Sequence, residues 1–214
     1  MEATERVLIS RDWVTLMVLV SFFFLALLKF LNQKKLRGYF LSFLNKSFIE
    51  SDSFENSSFF SVFNIFFSVF SSLVFSLFLT QFLDFYKASN ELTFLNFLVL
   101  FCVLFLFQLV QNGIQVVLVS LFSIKSTAID ILFVSQRSYL FSGSILMFIL
   151  FVLYFYTGLN FNYILFVVIA IISLMSLFYI NTNKKLIINK LFYFILYLCA
   201  IKLAPLLVLI KLIL

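Results

Sequence analysis

Long apolar runs fill most of this chain, and short polar clusters interrupt them at intervals. Six runs, at 12–31, 59–83, 94–122, 139–157, 161–180 and 191–210, have the length of a membrane span, because a helix rising about 1.5 Å per residue needs about 20 residues to cross a hydrocarbon core of about 30 Å. None alternates with period two, and a lipid-exposed segment must satisfy its own backbone, so each run is predicted to be a transmembrane helix and not a barrel strand. The first run lacks a following small-residue cleavage site and is longer than a signal-peptide core, so it reads as a retained helix. The third run exceeds what a perpendicular span requires. It can tilt, project beyond the membrane, or break at Asn112-Gly113, in which case 114–134 becomes an additional span.

A different periodicity covers 34–49. Leu36, Tyr39, Phe40, Phe43, Leu44 and Phe48 recur at steps of three and four, while Lys35, Arg37, Asn45 and Lys46 take the other faces. This pattern predicts an amphipathic helix lying on the membrane surface, with Lys34, Lys35, Arg37 and Lys46 as its basic contacts to anionic headgroups, each worth about 1 kcal/mol near such a leaflet. The expected fold class is therefore all-α: a polytopic bundle of about six spans in one domain, 1–214, plus one interfacial helix.

Composition makes the membrane assignment firm. Of 214 residues, 64% are apolar and 11% charged, whereas a soluble domain carries about one quarter charged residues to cover its surface. There is no histidine, and the four glycines and one proline cannot supply a glycine-rich phosphate loop. Cys102 and Cys199 each sit in the middle of an apolar run and read as packing residues. No pair of carboxylates and no nucleophile with its base can be assembled within the spans, so the chain is expected not to be an enzyme and to need no cofactor and no metal. Nucleic acid is not an expected partner.

The basic residues set the orientation. With six spans, Lys34, Lys35, Arg37, Lys46, Lys125, Arg137, Lys184, Lys185 and Lys190 fall on one side, and Arg6, Arg11, Lys87 and Lys211 on the other. An extra span at 114–134 evens out this split and puts Lys125 and Asp130 in lipid, so six spans are preferred. Lys and Arg accumulate on the cytoplasmic side, which places both termini on the outer, periplasmic side.

Three sets of polar residues interrupt the hydrocarbon. Lys202 lies about twelve residues into the last run, one turn before Pro205, where a cation costs about 2.5–3.5 kcal/mol on insertion scales. It is either an ion or helix-pairing site or a side chain whose stem snorkels to the interface. Gln108, Gln111, Asn112 and Gln115 form one stripe on the third span, suited to helix association or to a hydrated groove. Ser61, Asn64, Ser68, Ser72, Ser76 and Thr80 form a stripe of small and polar residues on the second, the spacing that lets helix backbones approach closely.

Three short motifs point to a family. Glu5-Arg6 followed by Arg11-Asp12-Trp13, Tyr154 to Gly158 at the end of the fourth run, and Tyr197-Leu198-Cys199-Ala200 followed by Ala204-Pro205-Leu206 resemble an uncharacterised family of integral inner-membrane proteins of Bacteroidota. Relatives often carry an acidic residue where this chain has Lys202, so the resemblance implies that the sign of that charge is not essential. It implies an inner-membrane address, carries no established activity, and transfers no catalytic residue.

Two functional expectations follow from the residues. One is a non-enzymatic subunit or scaffold of a membrane complex, in contact with lipid and other membrane proteins. The other is a small transporter or channel with a path lined by Gln108, Gln111, Gln115 and Lys202.

Overall fold

A computed structural model describes residues 12–40, 61–87, 94–121, 127–158 and 160–189 of the chain. These residues form six helices: α1 (Asp12–Leu31), α2 (Gln33–Phe40), α3 (Val62–Lys87), α4 (Phe94–Leu121), α5 (Thr127–Thr157) and α6 (Phe161–Asn189). Five of them, all but α2, are long and apolar enough to cross a membrane. No strand occurs among the described residues. The sixth run at 191–210, with Lys202, lies outside the described residues, as do 41–60 with Lys46.

The ends of these helices follow from local chemistry. Asn32 separates α1 from α2, and its Oδ1 accepts the backbone N–H of Lys35 at 2.9 Å, which caps the short helix. Ser61 plays the same part for α3, its Oγ accepting from the Asn64 N–H at 3.4 Å. Gly158 closes α5 with φ of 66°, donating its N–H to the Tyr154 carbonyl at 3.2 Å, the left-handed ending that glycine adopts most cheaply.

One expected boundary holds and one changes. The third run does not break, since α4 passes through Asn112-Gly113 to Leu121; one glycine inside a helix costs only about 1 kcal/mol, less than a span would lose by opening its backbone in lipid. The fourth run starts earlier than Tyr139, because α5 begins at Thr127 and is 31 residues long. At about 46 Å it extends beyond a hydrocarbon core of about 30 Å.

Ring contacts show that successive long helices alternate in direction. Trp13 at the start of α1 meets Phe94 and Phe97 at the start of α4, with centroids 6.1 and 5.5 Å apart. Phe161 at the start of α6 meets Phe85 near the end of α3 at 5.1 Å. At the opposite end Tyr39 of α2 meets Phe63 of α3 and Phe141 of α5, both at 5.9 Å.

α3 is the hub. Its apolar window is 67% enclosed by protein, against 11–33% for the other four long helices, and it packs on α1, α4 and α5, while α6 packs on α5. Hydrocarbon does not drive helices together in lipid, so contact must come from close fit and polar pairing. Ser68, Ser71, Ser72 and Ser76 of α3 are all buried, and their small side chains let neighbouring helices approach. Phe166, Tyr163, Leu177 and Ile169 of α6 face away from the bundle, as expected of side chains solvated by lipid.

Candidate functional site: a polar cavity at the end of the bundle

The hydroxyls of α3 are turned inward on their own helix. Ser68 donates to the Asn64 carbonyl at 3.0 Å, Ser72 to Val69 at 2.9 Å, Ser76 to Leu73 at 2.9 Å, and Thr80 to Ser76 at 2.8 Å. Bonds of this kind satisfy each proton locally, which is how a hydroxyl is carried through lipid at low cost. Ser138 and Ser144 of α5 do the same, donating to Ser135 and Phe141 at 2.8 Å each.

Larger polar side chains gather in one place. Between α3, α4 and α5, at the Tyr39 end, Phe67, Ser68, Gln108, Gln111, Asn112, Gln136, Arg137 and Leu140 line a cavity of about 40 Å³ that opens to the outside. That volume has room for about three waters. Gln108 also donates from Nε2 to Ser71 Oγ at 3.4 Å, which ties α4 to the hub. Asn64, one turn before Ser68, is buried, and its Oδ1 and the Nη2 of Arg137 are fully enclosed.

The amide stripe read from the sequence is thus assembled with groups that the sequence reading did not join to it. Gln108, Gln111 and Asn112 line the cavity with Ser68, and Asn64 lies next to them on α3. Gln115 lies further along α4, its side chain outside the described residues. Arg137, counted by sequence as a loop charge, and Gln136 belong to α5 and complete the wall. The apolar run Ile131-Leu132-Phe133-Val134 just before them was the available signal, since it places these two polar residues inside a helix and not at its start.

The basic helix also differs from expectation. Lys34 and Arg37 are exposed on α2, but Lys35 is buried together with Tyr39, one turn apart on the face that packs on α5. The Lys35 ammonium stands 5.6 Å from the Tyr39 ring centroid and 5.7 Å from that of Phe63. A cation over two aromatic faces keeps favourable electrostatics while its stem covers apolar surface. Cys102 is exposed on α4 and is no core packing residue.

A second polar contact lies at the far end. Gln81 of α3 donates from Nε2 to the Tyr154 hydroxyl of α5 at 3.1 Å. Gln81 lies thirteen positions beyond Ser68 of the cavity, about 20 Å along α3, a stretch in which Phe70, Val74 and Leu77 are buried with Phe148 and Phe151 of α5. Phe148 is clamped there by Phe70 and Phe22, at 5.8 and 4.9 Å.

The described residues that line the cavity bring together amides, a hydroxyl and the Arg137 guanidinium, and among them is no carboxylate, imidazole or thiol to act as base or nucleophile. Among the described residues no group of three His, Cys, Asp or Glu could hold a metal ion.

Five helices long and apolar enough to cross a membrane, packed with α3 as their hub, define a multi-pass membrane protein. The chain belongs to the DUF4271 family, a domain of unknown function, matched over residues 14–213. Neither the curated proteins nor the solved structures contain a match to it.

Proposed function

We infer that this protein is a non-enzymatic, multi-pass subunit or scaffold of a membrane complex in the bacterial inner membrane, with the Tyr39 end of the bundle cytoplasmic. The orientation rests on the basic residues Lys34, Lys35 and Arg37 of α2 and on Lys184 and Lys185 near the end of α6, which share that end. The observation that carries the functional reading is the separation of polar layers. The cavity and the Gln81–Tyr154 pair are divided by about 20 Å of α3 flanked by aromatic and aliphatic side chains. Hydroxyls within that stretch donate to their own helix carbonyls, so they present little to a passing solute. A transport path would need polar groups that continue from one face to the other.

The transporter reading draws on the cavity itself, which gathers Gln108 and Gln111. Reconstitution separates the two. Under the scaffold reading, proteoliposomes show background ion and solute flux, and replacing Gln111 or Lys202 with Leu changes which proteins copurify but not the flux. Flux above background that is lost in both variants overturns it.

A further inference from the structure

The outward face of α6 departs from the pattern set by the rest of the bundle. Within the apolar windows of the long helices, Ser21 of α1, four serines of α3 and four of α5 are all buried. Ser173 and Ser176 of α6 are exposed. Ser176 donates to the Ile172 carbonyl at 2.8 Å, so its proton is satisfied on its own helix. Its small size is left unused, because small side chains in membrane helices belong where a second helix comes close.

Ile169, Ile172, Ser173 and Ser176 stand at i, i+3, i+4 and i+7, and so form one strip along α6. Ile169 and Ile172 are 54% and 49% exposed. The strip lies about a quarter of a turn round the helix from Met175 and Tyr179, which meet Gly143 and Tyr139 of α5. The described residues leave it open.

The order of the chain favours one occupant. α6 ends at Asn189, and the apolar run 191–210 starts at Leu191. Helices joined by so short a connection lie antiparallel as neighbours. A tether of this length also holds the run beside α6 at an effective concentration of millimolar order, which a separate molecule has to exceed. A turn centred near position 190 brings position 204 opposite 176, and position 207 opposite 173. Position 204 is Ala, and Ala200 precedes it by one turn, the spacing of small residues that suits a close crossing.

We propose that the strip of Ile169, Ile172, Ser173 and Ser176 on α6 is the docking face for the chain's own run 191–210, packed antiparallel with Ala204 beside Ser176. Ile169 then exchanges lipid for protein, while Tyr163, Phe166 and Leu177 stay on the lipid side. The arrangement explains why α6 turns its serines outward from the described bundle when α1, α3 and α5 turn theirs inward. It rests on the membrane-embedded reading of the chain and holds whether the protein is a scaffold or a transporter.

Disulfide cross-linking of the full chain in native membranes, with Cys102 and Cys199 replaced by Ala, tests this. Ser176→Cys is combined in turn with Ala200→Cys and Ala204→Cys, and the linked peptides are identified by mass spectrometry. Mild oxidation should link 176 to 204 within one chain about fivefold or more above a control of Leu106→Cys with Ala204→Cys, because a disulfide forms only between Cα atoms within about 7 Å. Leu106 makes a fair control, being exposed on α4. Ser173→Cys with Leu207→Cys is the second pair, and it carries the comparison should the Ser176 variants fail to fold. Linkage no greater than the control in every folded pair leaves the strip to lipid and overturns the proposal. Dimers linked through Ser176→Cys, in place of the bond within one chain, assign the strip to a second copy and overturn it as well. Either result leaves the scaffold reading standing, since flux and copurifying proteins are read separately.

Discussion

Gln81 and Tyr154, 73 positions apart in the chain, meet at 3.1 Å as an amide donor and a phenol acceptor that join α3 to α5 at the end of the bundle opposite the cavity. Interhelical hydrogen bonds in membrane proteins average about 0.6 kcal/mol and reach about 1.7. Gln81→Leu and Tyr154→Phe should each lower stability by about 0.5–2 kcal/mol in thermal or steric-trap unfolding. The double variant should cost less than the sum of the two, and strict additivity would show that the pair does not interact.

α5 and α6 meet where Gly143 faces Met175. A Cβ at position 143 would stand 3.3 Å from the Met175 sulfur. Tyr139 and Tyr179, one turn away on the same two helices, form an edge-to-face pair at 5.8 Å, which holds the helices in register. Gly143→Leu should therefore destabilise by about 1–3 kcal/mol through overpacking. Met175→Ala should recover part of that loss, because a flexible thioether is what the new side chain displaces. No recovery in detergent melting curves would mean that the helices separate for another reason.

The docking of α2 depends on Tyr39, which is completely buried, and on Lys35 beside it. Tyr39→Ala should cost about 3–5 kcal/mol, the range for deleting an enclosed aromatic ring. Lys35→Met should stay within about 2 kcal/mol of wild type, since it keeps the stem and loses only the cation–π contribution. Lys35→Glu should be far worse, as it turns an anion toward the negative faces of two rings. Equal stability of the Met and Glu variants would contradict the burial of Lys35.

Gly158 has open space around it but a φ of 66°. Gly158→Ala should thus cost about 1–2 kcal/mol through backbone strain alone, and Gly158→Asn less, because Asn visits that region more readily. The measurement is again the unfolding midpoint. An Ala variant as stable as wild type would imply that α5 ends in another conformation.

The spans were legible because an apolar run of about 20 residues has few other solutions. Phase and partner were less so. The stripe of Asn64, Ser68, Ser72, Ser76 and Thr80 is the buried face of α3, since spacing alone decides which residues share a helix face. Spacing does not say which helix that face meets, so the joining of Ser68 to Gln108, Gln111 and Arg137 could not be read. The start of α5 was misplaced because Arg137 looks like the edge of a membrane, whereas a guanidinium enclosed by amides can lie inside a helix. Lys35 was put on the polar face by its charge, although its four-carbon stem made it equally able to cover Tyr39 and Phe63.

Cysteine accessibility tests the closed bundle most directly. In a chain whose Cys102 and Cys199 are replaced by Ala, Ser68→Cys opens onto the cavity and Ser76→Cys lies about 12 Å further along α3, at a buried position. A membrane-impermeant thiosulfonate applied to each side in turn should modify position 68 from the Tyr39 end only and leave position 76 unmodified from both. Rapid modification at position 76 would reveal water running through the bundle and contradict the account.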